Sequence, residues 1–214
     1  MSADEQARVK RLRKTNDQAN AIASRGVLRT LLGRYLGIAP RELVFSYGPQ
    51  GKPSLALSNR NIPAFNVSHS GDWLLLAFAP PDLHIGIDIE QHRPIPEWQE
   101  IAHHTFHPRE LAALLAQPAP DQLACFFDCW TRKEAVVKSL GTGISIDLQS
   151  FCVPIERAQA EYPVYMPAEY RNKHCTLKLS MPQLNHYSTA VAIYGAEPDG
   201  RLPLVCKSID TDLR

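Results

Sequence analysis

Leu83-His84-Ile85-Gly86-Ile87-Asp88-Ile89-Glu90 alternates without a break. Successive strand side chains point to opposite faces, so Leu83, Ile85, Ile87 and Ile89 share one face and His84, Gly86, Asp88 and Glu90 the other. The stretch is therefore a strand with one apolar side and one side carrying two acids. Residues two apart on a strand face lie roughly 6.6 Å from each other. Two carboxylates so placed repel unless a cation sits between them, and hard oxygen ligands suit magnesium. The plainer reading is a solvent-facing strand with two ordinary acids, and D-x-E alone does not choose.

Upstream, Pro80-Pro81-Asp82 reads as a turn, preceded by strands over residues 64–68 and 73–79 that are joined through His69-Ser70-Gly71-Asp72. Residues 5–37 have helical periodicity, interrupted or recapped at Asn16 or Asp17 and stopped by Gly37. A short strand at 43–47 leads into the turn-rich Gly48-Pro49-Gln50-Gly51-Lys52-Pro53. Downstream, Arg93-Pro94-Ile95-Pro96 breaks the chain, and helices follow over 97–105, 108–115 and 121–140. Strand-like pieces close the sequence at 164–166, 174–179 and 189–194. Helix followed by strands thus occurs twice. The pattern predicts an α+β fold of two halves, 1–95 and 96–214, joined at the Pro-rich stretch.

The helix over 121–140 should be capped by Asp121 and ended by Gly141. Leu123, Phe127, Trp130 and Val137 fall on one face, with Glu134 at its centre and Lys138 one turn on; Arg132 points the opposite way. A carboxylate centred on an apolar stripe is costly unless paired or metal-bound. A Glu134–Lys138 ion pair at the stripe's edge would satisfy it equally well.

Whole-chain properties narrow the field. The 214 residues are 44% hydrophobic and 21% charged, the balance of a folded protein and not of a disordered one. A net charge of +1 leaves no general attraction to nucleic acid, and the basic run Arg8, Lys10, Arg11, Arg13, Lys14 is local. Five cysteines with no CxxC pair argue against a disulfide framework and a structural zinc site, and for a reducing, cytoplasmic compartment. The N-terminus is too polar for a signal peptide, and the longest apolar run is too short for a membrane span.

Other motifs are weaker. Ser68-His69-Ser70 is no ready-made nucleophile and base, because neighbouring strand residues face apart and no G-x-S-x-G elbow exists. Gly51-Lys52-Pro53 departs from a Walker A loop, with Ser46 and Pro53 at required positions. A lysine there can still meet phosphate. His103, His104 and His107 lack a nearby acid or cysteine to complete a zinc site.

Taken in order, Gly51-Lys52-Pro53, Asn66-Val67-Ser68-His69-Ser70, Gly86-Ile87-Asp88-Ile89-Glu90 and Trp130-Thr131-Arg132-Lys133-Glu134-Ala135-Val136-Val137-Lys138 resemble the 4′-phosphopantetheinyl transferase superfamily. The likeness runs from about residue 8 to residue 155 and is to the two-subdomain, surfactin-synthetase-activating type. It implies two similar α+β subdomains related by a pseudo-twofold, with the active site at their interface. It implies transfer of the 4′-phosphopantetheine arm of coenzyme A, the co-substrate, to a serine of an apo acyl or peptidyl carrier protein, releasing 3′,5′-ADP. The implied partners are coenzyme A and the carrier, with no nucleic acid or membrane, and the implied state is a monomer.

Carried over residue by residue, the resemblance gives Asp88, Glu90 and Glu134 as ligands of Mg2+, with Mn2+ as an alternative. Lys138 would lie near the pyrophosphate. Lys52, Pro53, Ser68 and His69 would contact coenzyme A, with Arg25 and Arg8 as basic contacts to its nucleotide. Glu134 or Glu110 would take the proton from the carrier serine. Relatives of this size open on a strand, whereas helical periodicity here starts almost at Met1. Exposed basic residues around Arg109 or Arg132 would meet an acidic carrier. The rivals are a metal-dependent nucleotide hydrolase using the same acids and a non-catalytic binding module.

Overall fold

The computed structural model describes residues 1–48, 51–57, 61–141, 146–156, 159–170, 174–179, 181, 184–195 and 204–208. Pro49 and Gln50 of the turn-rich loop lie outside them. The alternating stretch forms β5 (His84–Gln91), paired antiparallel along its length with β8 (Tyr187–Tyr194). β7 (Cys175–Lys178) and β6 (Glu161–Val164) complete the sheet in the order β5-β8-β7-β6, leaving β5 at its edge. The Pro-rich stretch is a loop, yet sheet pairing joins β5 to the strands that follow that loop.

Each face of β5 has its own cover. Ile85 and Ile87 pack with Val191 and Ile193 of β8 and with Ala77 and Ala79. Those alanines belong to β4 (Trp73–Ala79), which forms a hairpin with β3 (Ala64–Ser70) through Gly71 and Asp72. On the opposite face Gly86 lies beside Ala192, and Asp88 beside Ala190. These small residues let α5 (Ala119–Leu140) press on the strand backbone. A Cβ on Gly86 would overlap the Ala135 carbonyl oxygen and the Ser139 amide nitrogen.

α5 starts two residues before Asp121. Pro118 takes the N-cap position, Pro120 sits in the first turn where a missing N–H is harmless, and Asp121 lies within that turn. Gly141 ends the helix at φ 72°, as its residue type demands. From Cys125 to Leu140 none of its residues is exposed, so the later turns are covered beyond one stripe. Arg132 does turn away from the apolar face but is 1% exposed, donating to the Pro154 and Ile155 carbonyls and pairing with Asp128 at 3.1 Å. A guanidinium so engaged cannot belong to an exposed carrier surface; Arg109 is exposed.

The expected first helix is two: α1 (Ala3–Lys10) and α2 (Thr15–Leu36), the second stopped by Gly37 at φ 65°. Leu28 and Leu32 of α2 form a core with Leu43, Leu55 and Phe65 and with Phe45. Phe45 starts β1 (Phe45–Tyr47), which pairs with β2 (Pro53–Leu55). α3 (Trp98–Thr105) and α4 (Pro108–Leu115) precede α5. The architecture is α+β. The five cysteines are free.

Candidate active site

Where α5 crosses β5, acids from both elements converge. Asp88 is 3% exposed. Its Oδ1 accepts from Ser68 Oγ at 2.8 Å and from Lys138 Nζ at 2.6 Å, and Lys138 also reaches Ser68 at 3.2 Å. Asp88 Oδ2 is buried without a hydrogen-bond partner among the described residues. Glu134, half-buried, lies one helical turn before Lys138, and Glu90 lies two residues beyond Asp88.

Burial pushes the pKa of all three carboxyls up. The charge of Asp88 raises Glu90 and Glu134 further, while the Lys138 ammonium opposes the rise at each. Burial therefore outweighs the Lys138 ion pair at each carboxyl and favours the neutral acid. Carboxylate oxygens, one of them buried without a partner among the described residues, are the donor type a hard divalent cation takes. Among the described residues no three His, Cys, Asp or Glu side chains lie together closely enough to hold a metal ion as they stand.

A pH dependence follows from the raised values. The folded protein holds these protons more tightly than the unfolded chain. The stability this contributes is full below the ordinary Glu value of 4.5 and is lost as pH rises through the raised values. In EDTA, Glu90→Gln and Glu134→Gln should each flatten the fall of melting temperature with rising pH relative to the unsubstituted protein. Parallel melting curves across that range would contradict the electrostatic account.

The other residues singled out in the sequence are dispersed around this cluster. Lys52 Nζ donates to the Lys138 carbonyl at 2.6 Å and the Ile85 carbonyl at 3.3 Å, tying its loop to α5 and β5; burial lowers its pKa. Pro53 opens β2 opposite Tyr47. His69 is exposed on β3. Arg8 stacks on the Tyr47 ring at 3.7 Å, and Arg25 donates to the Tyr47 hydroxyl at 2.9 Å. Both arginines line a separate cavity that also includes Met1, Glu5 and Leu12.

Glu110 is not brought to the cluster. It is 1% exposed and accepts from the His107 and Val153 amides at 2.7 and 2.6 Å, and it pairs with Lys133 at 2.8 Å. Lys133 also donates to the Leu148 and Phe151 carbonyls. Two buried features escaped the sequence reading. One is the Glu110–Lys133 pair. The other is Glu5, 2% exposed and bonded to Arg29. No local spacing signals either, since the partners lie 23 residues apart (Glu110, Lys133) and 24 apart (Glu5, Arg29).

Comparison with known proteins bears on this arrangement. The model of the 4′-phosphopantetheinyl transferase superfamily matches residues 84–192, and that of the 4′-phosphopantetheinyl transferase N-terminal region matches residues 1–80. A Synechocystis sp. homologue is 36% identical over 184 residues, covering 86% of this chain and 73% of that one. The 4′-phosphopantetheinyl transferase HetI of Nostoc sp. is 38% identical over 68% of this chain, which spans 61% of that relative's length. The 4′-phosphopantetheinyl transferase Sfp of Bacillus subtilis is 31% identical over 73% of this chain and 67% of its own. With matches over both halves of the chain and over the strand and helix that build the acid cluster, this protein belongs to the 4′-phosphopantetheinyl transferase superfamily and is an enzyme of that transferase class.

Proposed function

We propose that the protein transfers the 4′-phosphopantetheine arm of coenzyme A to the serine of an apo carrier protein. The observation that carries this reading is the Asp88–Lys138 contact, with Glu90 and Glu134 near enough for the Asp88 charge to raise both and with Asp88 Oδ2 buried and unpartnered among the described residues. In the transfer, the serine oxygen forms a bond to the pantetheine-bearing phosphorus. The bond from that phosphorus to the bridging oxygen breaks, and that oxygen leaves with 3′,5′-ADP. Mg2+ held by Asp88, Glu90 and Glu134 (or Mn2+ in its place) would neutralise charge on the pyrophosphate.

The chain's own groups do the rest. Lys138, held at Asp88, supplies a cation beside the acids, and Lys52 fixes the backbone that carries Lys138. Ser68, His69 and Pro53 are assigned to the coenzyme, Ser68 from its buried place at Asp88 and His69 from the exposed side of β3, while Arg8 and Arg25 at Tyr47 take its nucleotide. Glu134, half-buried and with a raised pKa, accepts the serine proton. The saturated bonding of Glu110 supports a structural role for it in place of that of base.

A paired comparison tests the two glutamates. Glu134→Gln should lower kcat by about 10²–10⁴-fold with little change in melting temperature. Glu110→Gln should instead weaken the buried pair with Lys133, for which removal of one partner costs about 3–5 kcal/mol. Its defect should appear as early melting, with kcat near normal in the cold. The reverse pattern would return the base to Glu110.

We further read the chain as two subdomains, 1–95 and 96–214, related by a pseudo-twofold. Each contains a 22-residue helix stopped by a left-handed glycine. We also read the chain as a cytoplasmic monomer acting without membrane or nucleic acid, a reading that rests on the cysteine pattern and small net charge of the sequence. Incubation with coenzyme A, Mg2+ and a panel of apo carriers should add one phosphopantetheine to a carrier for each 3′,5′-ADP released. Nucleotide release with no gain in carrier mass would replace transfer by hydrolysis.

A further inference from the structure

β5 is the edge strand of its sheet, so its backbone groups facing away from β8 need partners from elsewhere. β3 supplies them, through side chains and not through a strand ladder. The Ile87 amide donates to Asn66 Oδ1 at 2.9 Å, the Ile89 amide to Ser68 Oγ at 3.4 Å, and the Gln91 amide to Ser70 Oγ at 3.0 Å. Every second side chain of β3 meets every second amide of β5. Lys52 extends the row by donating to the Ile85 carbonyl.

The two serines do more than cover an edge. A hydroxyl has a single proton. Because Ser70 Oγ accepts from the Gln91 amide, its proton is directed to Glu90 Oε2, 3.3 Å away. Ser68 repeats the device one step along: it accepts from Ile89 and Lys138 and donates to Asp88 Oδ1. The amides of one strand thus orient hydroxyls of another, which in turn orient the acids on the first. At Glu90 the donor also favours the ionised carboxylate against the burial and the Asp88 charge that oppose it.

We propose that Ser70 is a positioning residue of the cation site, holding Glu90 through the bond that the Gln91 amide aims. The inference rests on the reading that Asp88, Glu90 and Glu134 take a divalent cation. Ser70 touches neither coenzyme nor carrier in this assignment. Its hydroxyl sets the rotamer of a ligand, as hydrogen-bonded neighbours of metal-binding carboxylates do.

Mn2+ binding to the full chain without coenzyme A, measured by calorimetry, tests this apart from activity. Ser70→Ala should weaken Mn2+ binding about tenfold, the lower end of what such supporting contacts contribute. Ser70→Thr, which keeps the hydroxyl, should restore it. Ser70→Ala binding as tightly as the unsubstituted protein would overturn the inference while leaving the cation site standing. So would Ser70→Thr binding as weakly as Ser70→Ala, since the hydroxyl would then not be what matters. Absence of Mn2+ binding to the unsubstituted protein would remove the cation reading itself, and the inference with it. Melting curves of both variants separate a loss of fold from a loss of positioning.

Discussion

Asp88→Asn is expected to abolish phosphopantetheine transfer while leaving the protein folded. Asparagine keeps the shape of the side chain and an oxygen for Ser68 and Lys138, but it removes the charge at the centre of the acid cluster. Stabilisation of developing charge by a bound metal is worth several kcal/mol, and each 1.36 kcal/mol is tenfold in rate, so the loss should be on the order of a thousandfold or more. Stability should move little. Burial already penalises the ionised Asp88, which offsets what the Lys138 ammonium loses, and Lys138 is itself 30% exposed. Transfer to an apo carrier, followed by mass at saturating Mg2+, reads the first effect, and thermal melting reads the second. Turnover near that of the unsubstituted protein would sink the metal assignment. A collapse in melting temperature would recast Asp88 as a structural ion-pair partner.

Gly86→Ala should harm both stability and activity through a single methyl group. The added Cβ would meet the Ala135 carbonyl oxygen and the Ser139 amide nitrogen and come within 2.9 Å of the Lys138 carbonyl carbon. These are backbone atoms of a hydrogen-bonded helix, so none can yield by changing rotamer. Overpacking costs typically 1–3 kcal/mol; at about 3 kcal/mol, and about 2–4 °C per kcal/mol for a chain of this size, the melting temperature should fall by roughly 6–12 °C. Relief comes only if α5 moves off β5. That motion carries Glu134 and Lys138 away from Asp88, and a displacement of about 1 Å can cost on the order of 100-fold in rate. Gly37→Ala, strained at a left-handed helix end but with nothing near its Cβ, is the comparison: it should lower stability without a matching loss of kcat. Equal kcat losses in the two variants would show that destabilisation alone explains Gly86→Ala.

The alternating residues of β5, the hairpin after Ala64 and the helices at 98–105 and 108–115 were legible because local periodicity and turn residues act over a few positions. The grouping of Glu134 with Asp88 and Glu90 came from the family resemblance, since each element's own pattern left a plainer reading open. What local periodicity cannot show is what covers the far side of an element. Arg132 was expected to be exposed and Lys133 carried no expectation, yet both are buried, because carbonyls of the 148–155 segment close over that side of α5. Glu110 was placed near the chemistry by likeness alone, and its saturating partners come from three separate segments.

By itself the sequence determined which strand carries two acids on one face, which helix carries the third, and that both belong to an α+β chain with the motifs of a transferase family. Tertiary structure alone decided how those acids are held. Gly86 and the facing alanines of β8 allow α5 to lie on the strand backbone, which brings Lys138 to Asp88 Oδ1 and leaves Oδ2 buried without a partner among the described residues. The β3 hydroxyls fix the acids from the other side. The physical reason is range. Side-chain alternation is set by the bonds of one strand, whereas the pairing of a buried carboxylate on β5 depends on donors brought to it from β3 and α5, whose proximity exists only once the core has closed.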